Sequence, residues 1–398
     1  MSKKKFIYFC PRGLSKHLHL YTGWVLEARK NNLPIFLFTT VSFKDFLKIP
    51  INFKRAEFIF FPSIKILDML VTTLFFIFQF LLNKFTIIHI RKRGTYIFEK
   101  LKRIFHSKFK YVIESEGDVL YEFEYLKDHP YKKNFYLDTI KNTNYILKRY
   151  ENSLLKADHI FCVSENLKNL YISRYSMNNS KLTSITTGCD SNKFKYDRNI
   201  REKYRKKLGL ESNFTLIYVG SVYFSWQRIS RTLKIYNLIK KNIERRTQMI
   251  IITREEDKPI LFDFLKRNDI SPNELILKFS VPNDQIPNYL NASDLGIILR
   301  DDHPMNNVAA PGKFGEYLCC GLPILTGIGI ADFSNKVAKT SYGIVLNDIY
   351  NDDEVILKVK NYLREYNTIN RNEIYKWASE IFSFQKHIKN YVNVMRNL

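Results

Sequence analysis

The chain has 398 residues and a formal net charge of +24, and its 45% hydrophobic and 26% charged residues describe a folded globular protein, not a disordered or fibrous one. That length is enough for two domains of ordinary size. Five cysteines (Cys10, Cys162, Cys189, Cys319, Cys320) are odd in number and show no metal-ligand spacing, which argues against a disulfide framework and for a reducing compartment.

Apolar runs alternate with helical patterns from end to end, the rhythm of parallel sheets with helices on both faces. Lys3-Lys4-Lys5 precedes only residues 6–10 before Pro11, too short for a secretory core, so this run reads as the first strand of a cytoplasmic protein. Further strands are expected at 34–39, 57–61, 86–90, 111–114, 159–163 and 182–186. Residues 69–82 are the most apolar segment, broken only by Thr72, Thr73 and Gln79. They fall short of the roughly 20 residues a bilayer span needs. They read either as a buried helix of the first domain or as a helix lying on a membrane.

Ligands of doubly wound sheets bind beyond the carboxyl ends of the strands, which selects a small set of loops. In the first half these are Pro11-Arg12-Gly13, His89-Ile90-Arg91 and Glu114-Ser115-Glu116-Gly117-Asp118. His89 reads equally as a packed core residue or a functional one. Glu114, Glu116 and Asp118 would repel one another on a shared loop, raise a pKa and supply a general base. The alternative is a solvated turn in which Asp118 caps a helix.

The glycine turn at 188–194 suggests a domain boundary, with 1–189 as the first domain and 190–373 as the second. The stretch at 374–398 reads as helical. A basic helix at 201–208 leads into a second set of strands at 215–219, 249–252, 275–279, 295–299, 323–325 and 343–345. After the first of these, Gly220-Ser221 allows backbone N–H groups to approach a phosphate. Arg228 either adds charge there or is an ordinary surface arginine. Asp301-Asp302-His303 invites a metal reading, but contiguous loop residues rarely converge on one ion, so no metal is expected.

The most informative stretch is 311–325. Pro311-Gly312 forms a loop, 313–320 a helix with Phe314, Tyr317 and Leu318 inward, Gly321 its closure and Pro323 the opening of a strand. A helix starting at Lys313 turns N–H groups and a lysine toward the loop, a seat for phosphate. Glu316, one turn in, can accept hydrogen bonds from a diol such as a ribose. Together they suggest a nucleotide site.

Pro311, Lys313, Glu316-Tyr317-Leu318, Gly321 and Pro323 resemble the donor-site signature of the GT-B glycosyltransferases of group 4. Gly188, Asp190 and Phe194 resemble the interdomain segment of the same family, and Ala157-Asp158 with Val163-Ser164 one of its strands. The resemblance implies a GT-B fold, two Rossmann-like domains facing a central cleft, with the helical stretch 374–398 crossing back to the first domain. It also implies transfer of a sugar, with retention, from a nucleotide-diphosphate sugar to a hydroxyl of a glycan or lipid-linked acceptor in cell-surface polysaccharide biosynthesis (lipopolysaccharide, capsule or exopolysaccharide). Donor contacts are then expected from Gly220, Ser221, Arg228, Arg300, Asn306, Gly312, Lys313 and Glu316. Arg300 and Lys313 would stabilise the leaving diphosphate, Asp301 and Asn306 would touch the sugar, and Glu114, Glu116 or Asp118 would act as base. No metal or other cofactor is implied. The chain departs from the family at Ser221, where an arginine is usual, at Arg91, where a histidine is usual, and at Val308, where a glutamate is usual.

The charge of +24 fits either peripheral association with the anionic inner face of a cell membrane or an ordinary solvated basic surface. The basic residues are scattered without any nucleic-acid motif, so no nucleic acid is expected as partner. An epimerase or hydrolase of the same fold, and a non-catalytic basic partner subunit, are the alternatives.

Overall fold

A computed structural model describes residues 4–10, 18–42, 57–63, 68–82, 85–91, 95–128, 143–186 and 188–398. The expected contacts at Pro11, Arg12 and Gly13 lie outside the described residues. Each strand read from the sequence is present, with ends shifted by up to a few residues.

One seven-stranded sheet contains β1 (Lys4–Cys10), β2 (Ile35–Ser42), β3 (Phe58–Ser63), β4 (Phe85–Arg91), β5 (Phe109–Ser115), β6 (His159–Cys162) and β7 (Leu182–Ser184), in the order 3-2-1-4-5-6-7. A six-stranded sheet contains β8 (Phe214–Val219), β9 (Thr247–Thr253), β10 (Ile276–Phe279), β11 (Leu295–Ile298), β12 (Ile324–Gly327) and β13 (Gly343–Leu346), in the order 10-9-8-11-12-13. All pairings are parallel. The unbroken apolar runs of strands such as β1 and β9 reflect burial on both faces. In β8, Leu216 and Tyr218 enter the core on one side and Ile217 that on the other, the period-two alternation of a strand.

The winding reverses between β1 and β4 in one sheet and between β8 and β11 in the other. At such switch points adjacent loops diverge and leave a crevice at the carboxyl ends of the strands. The loops after β8 and β11 are the ones that the sequence marks out for phosphate.

Two units separate by contact. One takes in the described residues of 4–123, 143–186 and 387–398, the other 124–128 and 188–386. In the second unit Asp294, fully buried, accepts hydrogen bonds from Thr215 N at 2.8 Å, Arg205 at 3.0 Å, Arg201 and Tyr366. This buried knot fastens the basic helix Arg198–Leu208 to the strands that follow it, and the guanidinium charges hold the Asp294 carboxyl below its usual range against the opposing effect of burial.

Helix Asp68–Leu82 covers the expected segment 69–82 and is buried along one side. Thr72, Phe76, Gln79 and Phe80 are buried, whereas Leu70, Leu74, Phe78, Leu81 and Leu82 are exposed. Among the described residues, no helix is long and apolar enough to cross a membrane.

Candidate functional site

At the switch point of the second sheet, β8 runs into Gly220 with φ +148°. That φ favours glycine, and a Cβ here would lie 2.7 Å from Lys313 Cε and displace the end of the lysine from its place over the strand end. Lys313 Nζ donates to Gln227 Oε1 at 3.0 Å and stands 4.5 Å from the centre of the Tyr218 ring. Burial pushes the Lys313 amine down to about 7, and the neighbouring Arg300 guanidinium adds to the effect while Glu316 opposes it. Two cations thus lean on each other beside a bare backbone, an arrangement that an anion would relieve.

Lys313 and Glu316 are carried by helix Lys313–Cys319, one residue shorter than expected. Phe314, Tyr317 and Leu318 are buried beneath it, and Tyr317 Oη accepts from Val219 N at 2.7 Å, locking the helix to the end of β8. Gly321 closes it at φ +61°, and Leu322 N donates back to Tyr317 O at 3.0 Å. Gly312 precedes the helix without a side-chain cap. The Glu316 carboxyl is raised by burial, with Lys313 and then Lys193 acting against it. Lys193 comes from the expected 188–194 turn and was not singled out by the sequence reading.

Arg300 and Asn306 are brought together: Arg300 Nη1 donates to Asn306 Oδ1 at 3.2 Å, and buried Asn306 donates from Nδ2 to Asp301 O at 3.0 Å. Asn306 therefore orients the arginine loop. Arg228 grips Asp301 through two nitrogens, one of them at 2.6 Å, and Asp301 also accepts from Tyr350 Oη at 2.8 Å. Arg228 and Asp301, both expected on the ligand, are thus held by each other. Asp302 accepts from Asn307 Nδ2 at 3.2 Å and His303 Nδ1 from Met305 N at 3.1 Å, so the contiguous acidic–histidine run is spent on loop structure. Among the described residues, no group of three His, Cys, Asp or Glu side chains is placed to hold a metal ion.

Ser221, where an arginine was expected on family grounds, has a guanidinium beside it from elsewhere. Arg254, just past β9, donates from Nη2 to Ser221 Oγ at 2.9 Å and is held by Asp257 at 2.6 Å. The rule that ligands gather at strand carboxyl ends was the signal for Arg254. A cavity of about 430 Å³ opens beyond β11, β12 and β13, bordered by Arg228, Arg300, Asp302, Ile328, Asn347 and Tyr350. Gly220, Lys313 and Glu316 are not among its walls, so Arg300 alone joins the lysine cluster to this cavity.

In the first unit, the three carboxylates are not the self-repelling cluster expected. Glu114 accepts from Tyr8 Oη at 2.9 Å and lies 3.5 Å from Arg91 Nη1; Glu116 accepts from Arg91 Nε at 2.9 Å. Asp118 accepts from Tyr121 N at 3.0 Å and from Arg174 Nη1 at 2.8 Å. A buried guanidinium between two carboxylates removes the repulsion that was to raise a pKa, and Asp118 is the helix cap of the alternative reading. His89 is packed against Tyr8, Phe161 and Tyr391, with Nδ1 3.0 Å from Tyr391 Oη, and burial holds its pKa well below the usual histidine range. It is a core residue.

By sequence, neither a protein-family model nor a curated protein matches the chain. Solved structures do. HepE of Anabaena, in complex with UDP, is 13% identical with a TM-score of 0.70, over 99% of this chain and 100% of that one. Sucrose-phosphate synthase of Thermosynechococcus elongatus is 10% identical with a TM-score of 0.71, over 99% and 98%. WaaG, a glycosyltransferase involved in lipopolysaccharide biosynthesis, is 12% identical with a TM-score of 0.68, over 98% and 99%. The two doubly wound units are those of the GT-B glycosyltransferase fold.

Proposed function

We propose that the chain is a glycosyltransferase that takes a sugar from a nucleotide-diphosphate sugar and passes it to a hydroxyl of a glycan or lipid-linked acceptor, with retention, in the making of a cell-surface polysaccharide. The observation that carries this reading is the pair of cations, Lys313 and Arg300, set at the switch point over Gly220 with Glu316 one helical turn away. HepE, of the same fold, has been captured with UDP and with UDP-glucose, which supports a uridine donor.

The diphosphate lies against Lys313 Nζ, the Arg300 guanidinium and the Gly220 backbone, and the ribose hydroxyls donate to the Glu316 carboxylate. When the glycosidic bond to the donor breaks, negative charge grows on the departing diphosphate. Cations already in place, oriented by Gln227 and Asn306, stabilise that charge without reorganising. Arg254 beside Ser221 adds a further guanidinium to the same strand-end surface. Of the first unit's carboxylates, Glu116 has a side chain 30% exposed against 14% for Glu114 and 1% for Asp118, so Glu116 is the one assigned to the acceptor hydroxyl.

The test is thermal unfolding against UDP, GDP, ADP, CMP and UDP-glucose. A ligand present at a hundred times its dissociation constant adds about 2.7 kcal/mol of stability. One nucleotide is expected to stabilise the wild type and to lose about tenfold in affinity in Glu316→Ala, the scale of one charge-assisted hydrogen bond. No stabilisation by any of them sinks the donor site and leaves the non-catalytic partner subunit.

A further inference from the structure

On a surface helix of a soluble protein the polar residues face out. Helix Asp68–Leu82 is built the other way round. Its polar Thr72 and Gln79 are buried, the latter accepting from Lys5 Nζ at 2.5 Å, while Leu70, Leu74, Phe78, Leu81 and Leu82 form one exposed stripe at helical spacing. Single exposed leucines need no explanation, but a contiguous stripe marks an interaction surface. The stripe continues onto the next helix, Thr95–Phe105. Phe9 touches both Phe76 and Phe98, so the two helices cover the same face of the sheet and their outer sides look the same way. Exposed Ile104 extends the apolar surface, and exposed Lys100, Arg103 and Lys108 line it with positive charge.

We infer that this face of the first unit lies on an anionic lipid bilayer, with the Leu70–Leu82 stripe at the acyl boundary and Arg103 and Lys108 at the headgroups. The charge pattern selects that occupant. Beyond Asp68 the helix carries no charge, and the charges beside it are basic, so they attract acidic headgroups and repel a second copy of the same face. The inference rests on exposure and charge and is independent of the donor site.

The experiment is co-sedimentation of the full chain with phosphatidylcholine vesicles made with and without phosphatidylglycerol. Binding is expected to the anionic vesicles, weakened by salt. The double variant Phe78→Ser/Leu81→Ser should bind about tenfold or more weakly, and Arg103→Glu/Lys108→Glu should lose about fivefold per charge toward anionic vesicles alone. Both pairs are exposed, so unchanged melting and unchanged nucleotide response would show that the fold is intact. Failure to bind either vesicle, or equal binding by Phe78→Ser/Leu81→Ser, overturns the inference. So does a wild type that is oligomeric by light scattering and becomes monomeric in that variant, which would make the stripe a contact between copies. A loss of nucleotide response in the wild type would count against the donor site and leave this surface untouched.

Discussion

The switch points of the two sheets have the same topology and treat their central cations differently. In the first unit, cations meet carboxylates: Arg91 is buried against Glu114 and Glu116, and Arg174 holds Asp118. In the second, Arg228 and Arg254 are likewise held by Asp301 and Asp257, but Lys313 donates to the amide of Gln227 and Arg300 to the amide of Asn306. An amide fixes a cation's direction without cancelling its charge, so the Lys313 amine keeps its pull on an anionic ligand. What separates a structural ion network from an anion seat here is the partner chosen for each cation, not the number of charges.

The largest expected effect comes from opening the closed network. Arg91→Met takes the buried cation from between Glu114 and the partly exposed Glu116 and should cost about 3 kcal/mol of stability in urea unfolding. A cost below about 1 kcal/mol, the scale of exposed pairs, would mean the first unit's charges are not closed at all. Lys313→Gln should weaken the nucleotide-diphosphate ligand about a hundredfold by calorimetry, the scale of two charge-assisted hydrogen bonds, without lowering the melting temperature. Gln227→Glu would turn the second site into a copy of the first. It should weaken the same ligand by about tenfold while making the protein no less stable, and tighter binding would refute the amide argument.

The remaining effect is one of pH. Free Lys313 loses its proton near pH 7, and a bound diphosphate favours the charged amine and raises that value. Binding above pH 7 therefore takes up a proton. The affinity of a nucleotide sugar, whose own phosphates do not titrate there, should fall by up to about tenfold per pH unit as pH rises. Lys313→Gln should flatten the profile, and a wild-type profile without slope between pH 7 and 9 would remove Lys313 from the phosphate.

The strands were legible because parallel strands buried on both faces are written as unbroken apolar runs between turn residues, as in β1 and β9. The helix after Gly312 was legible from its inward Phe314, Tyr317 and Leu318 and its closing Gly321. The contacts of single side chains were not. Arg228 is turned onto Asp301, seventy-three residues away, and nothing in its local spacing records that. Arg254 approaches Ser221 from a different strand. Helix Asp68–Leu82 defeated periodicity for another reason: with Leu and Phe on both faces, the pattern has no polar side to orient it, and the polar Thr72 and Gln79 point inward.

The crossing of Lys313 over Gly220 also bears on how this chain can change over time. A side chain at 220 would occupy the space of the lysine's terminal Cε and Nζ, and the lysine's reach is useful only while 220 stays bare. The two positions, ninety-three residues apart, behave as a single inherited character. A side chain gained at 220 pushes the amine away and a shorter residue at 313 no longer reaches, so a change at either one gives up the anion seat.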